Sequence, residues 1–240
     1  MPAASVPFDP PAHLDETAVA TSRYLEALTV LTDEDLRVPS LLPGWSRGHV
    51  VTHLARNADG LRNLLVWART GVETPQYPSW EQRNRDIDSG TDRPLTELLE
   101  DSRASAERFM DEVSRLEGDQ WDVPVRTLSS TRSFPARDVL RSRRTEVEVH
   151  HVDLGAGYAP ANWPEDFTRM LIGRVQDDRD DGPSMVLSAT DIDGLWKFGE
   201  GQGPEIKGTA ADLAWWLVGR GDGSGLVSSI GELPQLGKWR

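Results

Sequence analysis

The stretch Arg143-Arg144-Thr145-Glu146-Val147-Glu148-Val149-His150-His151-Val152-Asp153-Leu154 decides the fold. From Thr145 to Val152 polar and apolar residues largely alternate, which is the period of a half-buried strand. The run nevertheless lies in a segment of ~20 residues with no internal Gly or Pro, longer than most strands. That length predicts a helix beginning near Pro135 and ending before Gly155. Glu146 and His150 share a face in either conformation. Four residues set them roughly 40° apart on a helix, with Cβ atoms ~6 Å from each other, and four is also even on a strand. On the helix Arg143, Glu146, His150 and Asp153 form one line, and Glu148 points roughly the opposite way.

Upstream of this segment the pattern is also helical. Asp9 followed by Pro10 and Pro11 suits a helix start, and the first helix is expected to run to about Leu31. A second follows Pro43-Gly44-Trp45, with Ser46 as its N-cap and Val50, Leu54, Ala58, Leu61, Leu65 and Ala68 at three-to-four spacing. Gly71 is its natural stop. The polar segment from Thr74 to Arg93, with prolines at 75 and 78, reads as a loop. Pro94 opens a third helix carried by Leu95, Leu98, Leu99, Phe109, Met110, Val113 and Leu116. Four helices in this layout predict a bundle over residues 1–156.

Downstream, Gly155 to Pro164 reads as a linker, and the composition shifts. Short apolar runs at Ser184–Ser188, Leu195–Phe198 and Glu205–Lys207 predict strands, with a turn at Asp191–Gly194 and a helix over Ala210–Val218. Residues 157–240 are therefore expected to form a smaller α/β domain, which makes the fold class α+β.

Composition narrows the function. The 240-residue chain carries a formal net charge of −13 and no basic run, so it repels nucleic acid and anionic lipid. Its N-terminus lacks the basic and apolar regions of a secretory signal, and no apolar run approaches a membrane span. A cytoplasmic protein is expected. The chain has no cysteine, so any metal must rest on imidazole and carboxylate, and any thiol chemistry must borrow its sulfur from a bound small molecule.

The five histidines are His13, His49, His53, His150 and His151. Glu146 and His150 from one helix, with a histidine from another, would make two imidazoles and one carboxylate, a set that binds a borderline divalent ion and leaves positions open. Spacing alone leaves a second reading standing, a solvated Glu–His pair beside an unrelated core histidine. His49, four residues before His53, is a weaker candidate ligand. His151 lies ~100° off the shared face and is expected in the core; His13 is expected at the surface. Arg143 is expected to pair with Asp153 or Glu146. Asp153 could accept a hydrogen bond from a ligand histidine or form a plain helix-end salt bridge. Trp215-Trp216 reads as core or domain-interface packing.

Two segments carry a resemblance. Leu42-Pro-Gly-Trp-Ser-Arg-Gly-His-Val-Val-Thr-His53 and the pattern R-x-x-E-x-x-x-H-x-x-D-L over Arg143–Leu154 are similar to the metal segments of the mycothiol-dependent maleylpyruvate isomerases. Thr70-Gly-Val-Glu-Thr-Pro-Gln-Tyr77 and Leu217-Val-Gly-Arg-Gly221 fit the same family, and the similarity runs in order from about residue 15 to 232. The resemblance implies a DinB-like four-helix bundle followed by a small α/β domain. It implies that His53, Glu146 and His150 hold a divalent metal, zinc for preference. It also implies mycothiol as the thiol and Arg220 as a residue needed for activity. From the sequence alone Arg220 could equally cap a helix C-terminus.

The activity implied is cis–trans isomerisation of maleylpyruvate to fumarylpyruvate. A small-molecule substrate and a low-molecular-weight thiol are the expected partners. A thiol S-transferase would use the same ligands, and a non-catalytic regulatory metal bundle would have a closed coordination sphere.

Overall fold

The structure, a computed structural model, describes residues 8–128, 132–179, 182–237 and 239. The start of the N-terminal stretch read above for a secretion signal, residues 1–7, lies outside the described residues. Main-chain contacts divide the chain into two compact units that meet between Gly157 and Tyr158.

The first unit is a four-helix bundle with short accessory elements. Its long helices are α1 (Pro10–Leu28), α3 (Arg47–Thr70), α5 (Leu95–Val113) and α6 (Asp138–Asp153), with α2 (Asp33–Arg37) and α4 (Trp80–Asp88) between them. A two-stranded antiparallel ribbon, β1 (Pro124–Val125) with β2 (Phe134–Pro135), precedes α6. Contacts join α1 to α6, α6 to α3, α3 to α5 and α5 to α1, so each long helix has two neighbours and the ring closes. Tyr24, Leu28, Val50, Leu54, Leu98 and Val147 fill one half of the core. Leu61, Leu65, Phe109, Val113, Val139 and Leu140 fill the other.

Helix α3 follows from its sequence. All six apolar positions read from the three-to-four spacing, Val50 through Ala68, are buried. The Ser46 hydroxyl accepts from the His49 amide while the His49 ring accepts from the Ser46 amide, a reciprocal cap that satisfies donors at the N-terminus. At the other end Gly71 takes φ 71°, a left-handed conformation that costs little without a Cβ, and its amide closes on the Trp67 carbonyl.

The alternating segment from Thr145 to Val152 is helix throughout. Both sets of residues find partners because α6 is covered by α1 and α3: Val147, Val149 and Val152 are buried, and so are Arg143, Arg144 and Glu148. Glu148 is neutralised by Arg23 at 3.1 Å and Arg144 by Glu16 at 2.7 Å.

Residues 74–93 differ from the expected loop. Helix α4 occupies Trp80–Asp88, capped by the Ser79 hydroxyl, which accepts from the Gln82 amide at 3.1 Å. It buries only Ile87 among its nine residues, so apolar periodicity carries no sign of it. The approach to α4 presses against α3 at Gly60, where a Cβ would lie 2.9 Å from the Gln76 carbonyl oxygen.

The second unit has α7 (Glu165–Asp178), β3 (Met185–Ala189), β4 (Leu195–Phe198), β5 (Glu205–Gly208), α8 (Ala210–Leu217) and β6 (Val227–Ser228). The sheet order is β4-β3-β5-β6, with β3 and β5 parallel and the other pairs antiparallel. The two helices contact each other; α7 also packs on β4 and α8 on β3 and β5. Helix α7 and strand β6 were not anticipated, although Phe167, Leu171, Ile172 and Val175 are spaced for a buried helical face. Trp216 is buried, and Trp215 meets Trp163 edge-on at 5.7 Å, so the tryptophan pair belongs to the core of this unit.

The packing yields a first expectation. Phe109, 1% exposed in the bundle core, leaves a large void when shortened, and Phe109→Ala is expected to cost about 3–5 kcal/mol. Urea unfolding should report that loss with an unchanged helical circular-dichroism signature.

Candidate metal centre

Helices α3 and α6 lie side by side, and their facing residues meet at one point. His53 projects from the second turn of α3, Glu146 and His150 from consecutive turns of α6. His53 Nε2 is 3.1 Å from Glu146 Oε2 and 3.2 Å from His150 Nε2, and His150 Nε2 is 3.4 Å from the same carboxylate oxygen. Ligand bonds of about 2.0–2.1 Å at tetrahedral angles set neighbouring ligand atoms roughly 3.3 Å apart. The triangle therefore has the edge lengths of three ligands around one small divalent ion. Among the described residues these three form the group of histidine and acidic side chains that could hold one.

The donor set also suits a cation electrically. Two imidazole nitrogens 3.2 Å apart cannot both direct protons along the line between them. An ion between them accepts a lone pair from each, and the glutamate offsets part of its charge. His53 is sealed, with 5% of its side chain exposed, but Glu146 keeps 33%, so one side of the triangle faces solvent. Three candidate ligands with an open side match the catalytic arrangement, which leaves a position for water or substrate.

Neighbouring groups orient the rings. Asp153 Oδ2, fully buried, lies 2.8 Å from His150 Nδ1 and directs Nε2 at the triangle. Trp45 meets the His53 ring edge-on at 5.5 Å. Arg83, on α4, brings Nη2 to 3.2 Å from His53 Nδ1, an atom that must then present its lone pair.

Charge states follow from these contacts. Burial pulls the His53 imidazole down to about 4, aided by the charge of His150 and opposed by Glu146. Burial also works against the His150 imidazolium, but Asp153 and Glu146 outweigh it and raise the group to about 9. Burial would raise Glu146; the two imidazoles prevail and hold it well below the usual carboxylate range.

The bundle's other residues named from the sequence fall outside the triangle. His49 turns its Nδ1 to Ser46, 2.8 Å from the hydroxyl, and stacks on Trp45 at 5.9 Å, away from the triangle. His151 is buried against the Tyr24 ring. His13 is half-buried, with Nδ1 at 2.8 Å from the Asp9 carbonyl. Arg143 pairs with neither Asp153 nor Glu146, and its guanidinium donates to the Leu54 carbonyl and to Asn57 Oδ1, each at 2.9 Å. Helical side chains lean toward the N-terminus, so Arg143 points back along α6 into α3, beyond ion-pair distance of Glu146 although the two charges still interact. Arg220 lies in the second unit, exposed, just beyond α8, with its amide donating to the Trp215 carbonyl at 3.2 Å. The sequence reading names neither Arg83 nor Trp80, and Tyr77 only as the end of a family-like segment. The one local signal for the helix that carries Arg83 is Ser79 followed three residues later by Gln82.

A helical bundle that gathers one carboxylate and two imidazoles from adjacent helices defines a class of proteins built to hold a divalent ion. The family model described as the mycothiol maleylpyruvate isomerase N-terminal domain matches residues 17–155, and that of the family's C-terminal domain matches residues 162–238. The chain belongs to the mycothiol-dependent maleylpyruvate isomerase family. It is similar to the crystal structure of a mycothiol-dependent maleylpyruvate isomerase, with 31% identity, 96% of this chain and 97% of that chain covered, and a TM-score of 0.86. The structure of a histidine-to-alanine mutant of such an isomerase matches with the same values, 31% identity, 96% and 97% coverage and a TM-score of 0.86. No curated relative matches the chain.

The electrostatics predict how the metal-free protein responds to pH. His150, raised to about 9, contributes stability that is whole below its ordinary value of 6.5 and is lost as pH rises through about 9. His53, lowered to about 4, acts in the opposite sense: its contribution is whole above 6.5 and is lost as pH falls through about 4. Glu146 adds to the acid-side loss below its ordinary 4.5. The site's contribution should therefore be greatest around pH 6.5. Imidazole proton resonances followed against pH in chelator-treated protein should show one histidine titrating near 9 and another near 4. Ordinary titration of both rings would contradict the assignment.

Proposed function

We propose that the chain is a metal- and mycothiol-dependent isomerase that converts maleylpyruvate, with its cis double bond, into fumarylpyruvate. The observation that carries this reading is the convergence of His53, Glu146 and His150 on an open-sided triangle of 3.1–3.4 Å edges, in a chain of this family. When bound, a divalent ion favours the thiolate of a coordinated thiol, which serves as a reversible nucleophile so that the double bond can rotate as a single bond.

The protein's own residues set up that chemistry. His53, Glu146 and His150 are the three ligands, and two nitrogens with one oxygen suit zinc. Asp153 holds His150 in the tautomer that leaves Nε2 free to coordinate. The solvent-facing edge of Glu146 leaves room for sulfur and substrate. No cysteine of the chain competes as nucleophile or ligand. Arg220 offers a guanidinium fork suited to a carboxylate, and maleylpyruvate carries two. A reduced low-molecular-weight thiol is maintained in the cytoplasm, which is where this activity belongs.

The test is incubation of the zinc-loaded protein with mycothiol and maleylpyruvate. Formation of the trans product without net loss of thiol supports the reading. An accumulating thioether conjugate would make the protein an S-transferase, and no thiol dependence at all would make it a binding protein. His53→Ala is expected to lose bound metal and to slow turnover by roughly 2 to 4 orders of magnitude, about 3–5 kcal/mol. Asp153→Asn keeps the side-chain shape and should weaken cobalt or zinc binding about 10- to 100-fold, read by titration.

A further inference from the structure

Arg83 is a cation held against the candidate metal triangle. Several other arginines of the bundle are neutralised: Arg56 and Arg93 share Asp101, Arg69 meets Glu112, and Arg108 meets Asp59. Arg83 has no carboxylate partner among the described residues. Its side-chain contacts are Asn84 Oδ1 at 3.1 Å and the His53 ring at 3.2 Å. The guanidinium carbon lies 5.8 Å from the centre of the Tyr77 ring and 5.7 Å from that of Trp80. Two aromatic faces steady a cation without cancelling its charge.

The contact with His53 is itself temporary by chemistry. A guanidinium only donates, so His53 Nδ1 must accept, which leaves the ring's proton on Nε2. A histidine that gives its Nε2 lone pair to a metal carries its proton on Nδ1, and two donors then face each other. Loading the ion therefore releases the guanidinium from His53, on the same side of the bundle as the triangle. Beside it sits the Tyr77 hydroxyl, on a residue 8% exposed, without a well-formed hydrogen bond. Burial first, then the charge of Glu146, pushes that phenol up to about 12, so it remains a donor.

We propose that Arg83 and Tyr77 form a carboxylate-binding subsite beside the metal centre, in which the guanidinium takes a substrate carboxylate once the ion has displaced it from His53. The proposal rests on the isomerase reading for its choice of a dicarboxylate as ligand. It adds a substrate-binding pair on the segment 72–93, whose approach to α3 depends on the missing Cβ of Gly60.

Maleate, a cis-dicarboxylate that lacks the keto group, is the probe. Calorimetric titration of maleate into the zinc-loaded protein should show saturable binding, about 10- to 100-fold weaker in Arg83→Met and partly restored in Arg83→Lys. Tyr77→Phe removes only the hydroxyl and should weaken binding by a smaller factor. Arg85→Met, an exposed change on the same helix, should leave it unaltered. Zinc affinity, measured by competition with a chromophoric chelator, should be unchanged or higher in Arg83→Met, because a competitor for the His53 ring is gone. Maleate binding that is absent in the wild type or equal in Arg83→Met overturns the proposal. So does a loss of zinc from Arg83→Met, which would make Arg83 a support of the triangle. If maleate binding depends on Arg83 but the wild type fails to isomerise maleylpyruvate with mycothiol, the reaction assignment falls and the subsite stands.

Discussion

Arg143 crosses from α6 into α3 and ends on the Leu54 carbonyl and Asn57, next to His53 in the chain. A buried guanidinium is tolerable only if its donors are met, and each hydrogen bond to a charged group contributes about 1.5–3 kcal/mol. This cross-link sets how α6 lies along α3, and with it the separation of the three candidate ligands. Two further ties act at the far end of α6. Arg47 donates to the Leu154 and Gly155 carbonyls, and the Leu41 amide donates to the Asp153 carbonyl. The helix that supplies Glu146 and His150 is thus pinned at both ends to the segment that supplies His53.

Within that frame the site separates charge in a protein that is acidic overall. Glu146 stands between two imidazoles, with the buried Arg143 close enough for the two charges to interact and Arg83 on the outer side. The two histidines are pushed in opposite directions by their surroundings, one by burial and the other by its carboxylate neighbours. An ion entering the triangle meets one ring already neutral and one it must deprotonate. Metal affinity and protonation would therefore be linked, because Asp153 and Glu146 orient His150 and also favour the proton that a bound ion would displace.

The long helices were legible because each carries its own signals. Residues Val50 to Ala68 repeat at helical spacing, Ser46 and Gly71 bracket them, and the absence of Gly and Pro favoured helix over strand for α6. Helix α4 was not legible, since a helix that buries one side chain leaves no apolar stripe. Arg143 was misread for a related reason. Spacing along one helix places residues on a face but does not say toward which neighbour a long side chain extends. Helix α7 is a different case: its stripe of Phe167, Leu171, Ile172 and Val175 directly follows a run of glycine and proline that reads as linker.

Sequence by itself limited the candidate ligands for a divalent ion: a cysteine-free chain with Glu146 and His150 one turn apart leaves only carboxylates and imidazoles. It also determined the two-part architecture, because helical periodicity gives way to short apolar runs after Gly155. Tertiary structure alone decided that His53 and not His49 faces that pair, since the one ring turns inward between α3 and α6 while the other closes its own helix's N-terminus. It likewise decided that a cation from α4 reaches the site. Local periodicity fixes the face a residue occupies, but the meeting of atoms from segments 93 residues apart depends on how helices pack, which no single segment encodes.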